Sequence, residues 1–255
     1  MIFAIDVGNT NIVIGCCDGE EILFRERVST NHTATSLEYA AIFKTAFEMN
    51  NVSPKEITGS IISSVVPAVT RNVRTAAEQL TGTQAMVVGP GIKTGLSIKI
   101  DNPAQLGSDL VVDAVAGIAN YSVPLVIIDM GTATTISVIG GNCDYLGGMI
   151  MPGVSVSHDS LISRTSQLRK VALEPPKRLI GTETVDCLKS GMIYGNAGAL
   201  DGIIDRVRDE IGECTVVATG GLAGVIIPYC RNKIILDDDL LLKGLRVIYE
   251  KNRKG

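Results

Sequence analysis

The chain has 255 residues, 45% apolar and 20% charged, the composition of a folded globular protein with a sizeable core rather than of a disordered one. A net charge of −4 without a dense Lys/Arg cluster argues against a nucleic-acid-binding surface. No apolar run reaches membrane-spanning length and the first residues lack the basic-then-apolar layout of a signal peptide, so a cytoplasmic protein with no membrane segment is expected.

The chain opens on MIFAI (residues 1–5), an aliphatic and aromatic stretch suited to a buried strand. Asp6 follows where burial is costly unless the carboxylate is paired or faces a cation. Gly8 then allows close backbone approach, with Asn9, Thr10 and Asn11 offering polar groups around it. Such a corner is either a phosphate cradle or a plain hairpin turn. Strands are predicted at Ile12–Cys17 and Glu21–Val28, then a helix over residues 36–49 with apolar residues at three-and-four spacing. A strand within ITGSIISSVV (57–66), a helix over 68–81 and a strand at Ala85–Val88 follow. The segment Asn102–Asp109 is the expected crossing between two lobes, and an apolar helix is predicted at Leu110–Ile118. Asp109 falls in its first turn, where the macrodipole favours a carboxylate. It is either a general base or simply a helix-starting acid, and Asp113, one turn on, competes for the base role.

From Leu125 the pattern repeats. The stretch LVIIDMGTATTISVIGG again runs an aliphatic strand, Leu125–Ile128, into an aspartate, Asp129. Gly131, Thr132, Ala133, Thr134 and Thr135 follow, then strands at Ile136–Ile139 and Tyr145–Met151. Gly147-Gly148 and Met151-Pro152-Gly153 read as a strand end and a sharp turn into a helix, or as a wall of a substrate pocket. A helical region leads to a strand at Thr215–Thr219, a helix after Gly220-Gly221, a strand at Lys233–Leu236 and a closing helix from Asp238. Asp237-Asp238-Asp239 is read as an acidic cap on that helix rather than a metal cluster. Each half is three meandering strands followed by helix–strand alternation, so the expected fold is α/β, duplicated and two-lobed, with mixed sheets and a central cleft. The lobes are expected at residues 1–104 and 105–255, the second carrying substrate and dimer contacts. Two matched carboxylate–glycine–threonine corners suit phosphoryl transfer, which asks for charge neutralisation and in-line positioning.

The paired D-x-G-N-T and D-x-G-T-x-T corners resemble the phosphate motifs of the actin-like ATPase (ribonuclease H-like) superfamily of actin, sugar and acetate kinases and chaperone ATPases. Within it the whole chain resembles the type III pantothenate kinases, also labelled Bvg accessory factors. The matching stretches are IDVGNTNIVIG (5–15), SSVVP (63–67), DNPAQLGSD (101–109), IDMGTATT (128–135), GGMIMPGV (147–154), GTETVDCLKSGMIYG (181–195) and ATGGLA (218–223). The resemblance implies ATP-dependent phosphorylation of pantothenate by a homodimer. It implies an ATP-binding stretch Asp6, Val7, Gly8, Asn9, Thr10, Asn11, Ile12 and Val13, with Asp6 beside Mg²⁺ through water. Thr132 becomes a second phosphate contact, Thr219, Gly220 and Gly221 an adenosine motif, and Asp129 the residue tied to a monovalent cation, potassium or ammonium. Asp109 becomes the general base, within a substrate-binding group of Gly107, Ser108, Asp109, Leu110, Ile100 and Thr184, the last presented across the dimer interface.

Two positions depart from that pattern. The family follows the base with arginine, and here Leu110 stands there; a tyrosine common nine residues earlier is Ile100. Loss of a guanidinium removes a contact to the pantothenate carboxylate worth about 1.5–3 kcal/mol. Three outcomes are open: replacement by Arg164 or Lys99, a pocket rebuilt for a less acidic alcohol, or an ATP-binding regulatory protein without catalysis. An actin-like assembly protein is a further rival, disfavoured by the chain's length. Six scattered cysteines read as reduced apolar fillers, and two histidines, His32 and His158, are too few for a His-based zinc site or a Ser-His-Asp triad.

Overall fold

The computed structural model describes residues 1–253. The first half contains β1 (Ile2–Val7), β2 (Asn11–Asp18), β3 (Glu21–Ser29), α1 (Ser36–Met49), β4 (Gly59–Ser64), α2 (Pro67–Thr81) and β5 (Ala85–Val87). A two-residue strand, β6 (Ser97–Ile98), and α3 (Ser108–Asn120) follow. The second half contains β7 (Leu125–Met130), β8 (Ala133–Ile139), β9 (Asp144–Pro152), α4 (Val154–Ser163), α5 (Thr184–Ile211), β10 (Thr215–Thr219), α6 (Ala223–Ile226), β11 (Ile235–Leu236) and α7 (Leu240–Asn252). Local chemistry sets several of these boundaries. Thr35 and Glu38 form a reciprocal capping box that starts α1. Pro67 opens α2, whose closing Gly82 adopts φ +68°.

The two sheets share one topology, the structural mark of a duplication. The first is ordered β3-β2-β1-β4-β5 and the second β11-β10-β7-β8-β9-β6. In each, an antiparallel three-strand meander is extended by two parallel strands. The addition in the second is β6, parallel to β9, which its two residues were too short to announce.

The compact units do not divide at residue 104. One holds Met1–Leu96, Asn102–Ala119 and the chain from Asp239; the other holds Ser97–Asp101 and Asn120–Asp238. The reason is burial. Val112 and Val115 of α3 and Leu242, Leu245 and Ile248 of α7 form one cluster with Ile2, Ala4 and Ile61 of the first sheet. Gly244 lets α7 close on α3, since a Cβ there would lie 2.2 Å from the Val112 carbonyl oxygen. On the opposite face, α1 and α2 pack Tyr39, Phe43, Phe47, Val69 and Val73 against Phe3, Ile5 and Val7. Phe3 meets Phe43 and Phe47 edge-on, with ring centroids 5.4 and 4.9 Å apart. In the other unit, α5 lays Ile193, Ala197, Leu200 and Ile204 on Val126, Ile128 and Val216.

The acidic run 237–239 stands at the start of α7, as the cap reading expects. Asp239 occupies the cap position without a side-chain cap bond, and its carboxylate instead accepts from Arg25 at 2.9 Å. Asp237 is buried and accepts from the Tyr121 hydroxyl at 2.7 Å. His158 is buried in α4 and accepts the Val171 N–H at Nε2, 3.2 Å away. All six cysteines are free thiols; burial pushes Cys16 up to about 12, Cys17 to about 11 and Cys230 to about 12. No helix among the described residues is long and apolar enough to cross a membrane.

Candidate active site

Side chains alternate along β1, so Asp6 lies on the face of Ile2 and Ala4, the face that α3 and α7 cover. It is 8% exposed at the C-terminal end of the strand. Directly beside it in the parallel β1–β4 register is Ser63. The Ser63 hydroxyl lies 3.1 Å from that of Ser108, which also accepts the Ser64 N–H at 3.2 Å and donates to the Ser64 carbonyl at 3.1 Å. Three bonds thus fasten the first turn of α3 to the end of β4, one strand away from Asp6. The SSVVP run, noted only as a matching stretch, supplies this dock.

Asp109 is the next residue. Its Oδ1 accepts the Leu110 N–H at 2.9 Å and folds back over Gly107, where a Cβ would come within 2.4 Å of that oxygen. Glycine at 107 is therefore what leaves room for the carboxylate. Burial pushes the Asp109 carboxyl above its ordinary value, and hydrogen bonds from the Leu110 and Asp109 backbone pull part of the way back. A half-buried carboxylate that is less acidic than usual is a better proton acceptor. Asp113, the rival, is fully buried among the packed residues of α3. Access favours Asp109.

The corner after β1 is held on three sides. Residues Gly8–Asn11 lie between the last paired positions Val7 and Ile12, and Gly8 donates its N–H to the Asn11 carbonyl at 3.0 Å. Thr30 donates its hydroxyl to the Gly8 carbonyl at 2.6 Å and its N–H to the Thr10 carbonyl at 2.9 Å. Val65 donates to the Val7 carbonyl at 3.1 Å. Asn9 and Thr10 are left exposed, Gly8, Asn11 and Val13 half-buried, and Ile12 is buried in the core.

In the other unit the equivalent corner is one residue shorter: Gly131–Ala133 lie between the paired Met130 and Thr134. Asp129 pairs in register with Thr219 of β10. Gly220 follows at φ +93°, and a Cβ there would lie 2.4 Å from Asp129 Oδ1 and 2.6 Å from the Met130 nitrogen. Only glycine satisfies both that backbone angle and that approach. Leu222 donates to the Met130 carbonyl at 3.3 Å, so the ATGG turn is fixed over the second corner. Thr132 and Gly221 are exposed, and Thr219 is buried.

The structure thus gathers Asp6–Val13 with Gly107–Leu110 in one unit, and Asp129, Thr132 and Thr219–Gly221 in the other. Ile100 belongs to the second unit, half-buried just past the Lys99 N–H that donates to the Tyr145 carbonyl at 2.8 Å. Thr184 is exposed at the first turn of α5. Arg164, offered for the missing guanidinium, is exposed at the end of α4. Thr30, which bonds the first corner twice, is marked in the sequence only by its place after the third strand of the meander.

Among the described residues no group of three or more His, Cys, Asp or Glu side chains is arranged to hold a metal ion. A magnesium ion carried by nucleotide phosphates keeps most of its waters and asks for one or two carboxylates, so the buried carboxylate of Asp6 beside an exposed polar corner fits it.

The family model for type III pantothenate kinase matches residues 2–206. A type III pantothenate kinase of Exiguobacterium sp. is 44% identical over 254 residues, covering 100% of both chains. That of Moorella thermoacetica is 42% identical over 253 residues, covering 99% of this chain and 100% of its own. Among solved structures, the activator of the 2-hydroxyisocaproyl-CoA dehydratase from Clostridium difficile, with bound ADPNP, shares the fold at a TM-score of 0.52 and 13% identity, covering 98% of this chain and 94% of that one. The duplicated fold is that of the actin-like ATPases and sugar kinases. The chain belongs to the type III pantothenate kinase family.

Proposed function

We propose that the chain transfers the γ-phosphoryl group of ATP to the primary hydroxyl of pantothenate, yielding 4'-phosphopantothenate and ADP, the first step of coenzyme A biosynthesis. One observation carries the reading: Ser108 bonds to Ser63 and Ser64 and so brings Asp109 to the strand ends that bear Asp6 and the first corner. Asp109 accepts the hydroxyl proton as the alcohol oxygen bonds to the γ-phosphorus and the bond to the bridging β–γ oxygen breaks. Gly8, Asn9, Thr10 and Asn11 cradle the phosphates, and Thr132 adds a second hydroxyl. Thr219, Gly220 and Gly221 receive the adenosine. Asp6 would hold magnesium through water, and the ion would supply charge neutralisation on the phosphates. Asp129 serves a monovalent cation, potassium or ammonium. Gly107, Ser108, Leu110, Ile100 and Thr184 belong to the pantothenate side.

A homodimer is part of the proposal. Leu146 and Ile150 on β9, Val156 and Leu161 on α4, and Ile180 and Val185 near the start of α5 are exposed apolar side chains of one unit, which a second copy could cover. Sedimentation of the pure protein tests it. A cytoplasmic location accords with a kinase that draws on ATP.

The deciding assay couples ADP release to pantothenate, with and without potassium, for the native chain and Asp109→Asn. Pantothenate-dependent turnover lost in the variant supports the proposal; none in the native chain overturns the substrate. A second reading, a kinase of a related uncharged alcohol, is favoured by Leu110 and Ile100, and pantothenol in the same assay separates the two.

A further inference from the structure

Thr30 and Gly153 occupy the same place in the two halves of the fold. Each is the first residue beyond the third strand of its meander, after Ser29 of β3 and Pro152 of β9. Each donates its backbone N–H to the carbonyl of the corner threonine: Thr30 to Thr10 at 2.9 Å, Gly153 to Thr132 at 3.1 Å. Their side chains differ as the corners differ. The longer first corner leaves room beside it, and the Thr30 hydroxyl fills that room with a second bond, to the Gly8 carbonyl at 2.6 Å. The shorter second corner is drawn onto the strand end, where a Cβ at 153 would lie 2.3 Å from the Thr132 oxygen and 2.5 Å from the Gly131 oxygen.

We propose that Thr30 and Gly153 are positioning residues for the two phosphate corners, the first by supplying a donor and the second by having no side chain. The peptide plane gives the physical reason. The carbonyl of one residue and the N–H of the next point in opposite directions across a trans peptide. With the Gly8 carbonyl bonded to Thr30 on the sheet side, the Asn9 N–H is turned away from it, toward the exposed face of the corner. A carbonyl that rotated to that face would present negative charge to a phosphate; the Thr30 bond prevents the rotation. Gly153 does the same for the carbonyl of Thr132. This rests on the assignment of the two corners to ATP.

The test compares Thr30→Val, which keeps the shape and removes the donor, with Thr30→Ser, which keeps the donor. Asp6→Asn tests the corner itself. For Thr30→Val the KM for ATP rises roughly tenfold, the size of one hydrogen bond. Its KM for pantothenate stays within twofold and its melting temperature barely moves, because Thr30 is half-buried at a chain turn. Thr30→Ser restores the ATP KM. Gly153→Ala raises the ATP KM too, but the backbone clash threatens its folding, so the Thr30 pair decides. A native ATP KM in Thr30→Val while Asp6→Asn loses turnover overturns the positioning role and leaves the corner assignment standing. A Thr30→Ser as damaged as Thr30→Val also overturns it, since the hydroxyl would not be what matters. Native kinetics in both Asp6→Asn and Thr30→Val overturn the corner assignment together with this one.

Discussion

The Ser108 hydroxyl lies 3.1 Å from the Ser63 hydroxyl, and Ser63 stands directly beside Asp6 in the parallel register of the first sheet. Removing that hydroxyl frees the first turn of α3 from β4 and loosens Asp109. Ser108→Ala is expected to lower kcat about tenfold and unfolding free energy by about 1–3 kcal/mol, leaving the KM for ATP near native. Steady-state kinetics and urea denaturation check it.

Asp109→Asn separates catalysis from stability. A proposed general base contributes about 10²–10⁴-fold, so turnover falls by that factor. Burial raises the carboxyl above its ordinary value in the folded state, so stability falls as pH rises through the ordinary value and the cost is complete once pH passes the raised one. Asn still accepts the Leu110 N–H and carries no charge. The variant is expected to melt higher than native at neutral pH, with the gain vanishing below the ordinary carboxyl range. Melting curves against pH measure this, and the acidic limb of native kcat should lie above the ordinary aspartate value.

Gly107→Ala acts on the same carboxylate by contact. A Cβ 2.4 Å from Asp109 Oδ1 forces the side chain to move. Misplacement of a reacting group by about 1 Å costs up to 10²-fold, so kcat should fall by about ten- to a hundredfold with a smaller loss of stability. Kinetics alongside a thermal shift distinguish the two.

Gly220→Ala meets both an unfavourable backbone angle, φ +93°, and the Met130 backbone. A loss of at least about 2 kcal/mol is expected in urea unfolding. Activity in the folded fraction should fall as the turn over Asp129 shifts.

Thiol labelling tests the packing. Iodoacetamide at pH 8 should modify Cys143 and Cys187, which are exposed, within minutes. Cys16, Cys17 and Cys230, which burial pushes to about 12, 11 and 12, should resist until the protein unfolds. Peptide mass spectrometry reads the order.

The sequence alone determined what is local and periodic. The run MIFAI is apolar at every position because β1 is covered on both faces, and its ending in Asp6 and Gly8 marks a corner whatever surrounds it. The second copy at Leu125–Thr135 could be matched to the first for the same reason, and the shared sheet order follows from it. Tertiary structure decided the rest. Nothing near residues 108–119 or 239–252 says that α3 and α7 pack on the first sheet; that follows from apolar faces that fit Ile2, Ala4 and Ile61, far away in the chain. The acidic run at 237–239 reads as a cap and Asp239 takes the cap position, but its pairing with Arg25, and that of Asp237 with Tyr121, both distant in sequence, is set by the fold. Thr30 and Gly153 share no residue type, and only the sheets that bring each strand end against a corner reveal them as counterparts. Periodicity is encoded in neighbouring residues, whereas partners are chosen by burial across the fold.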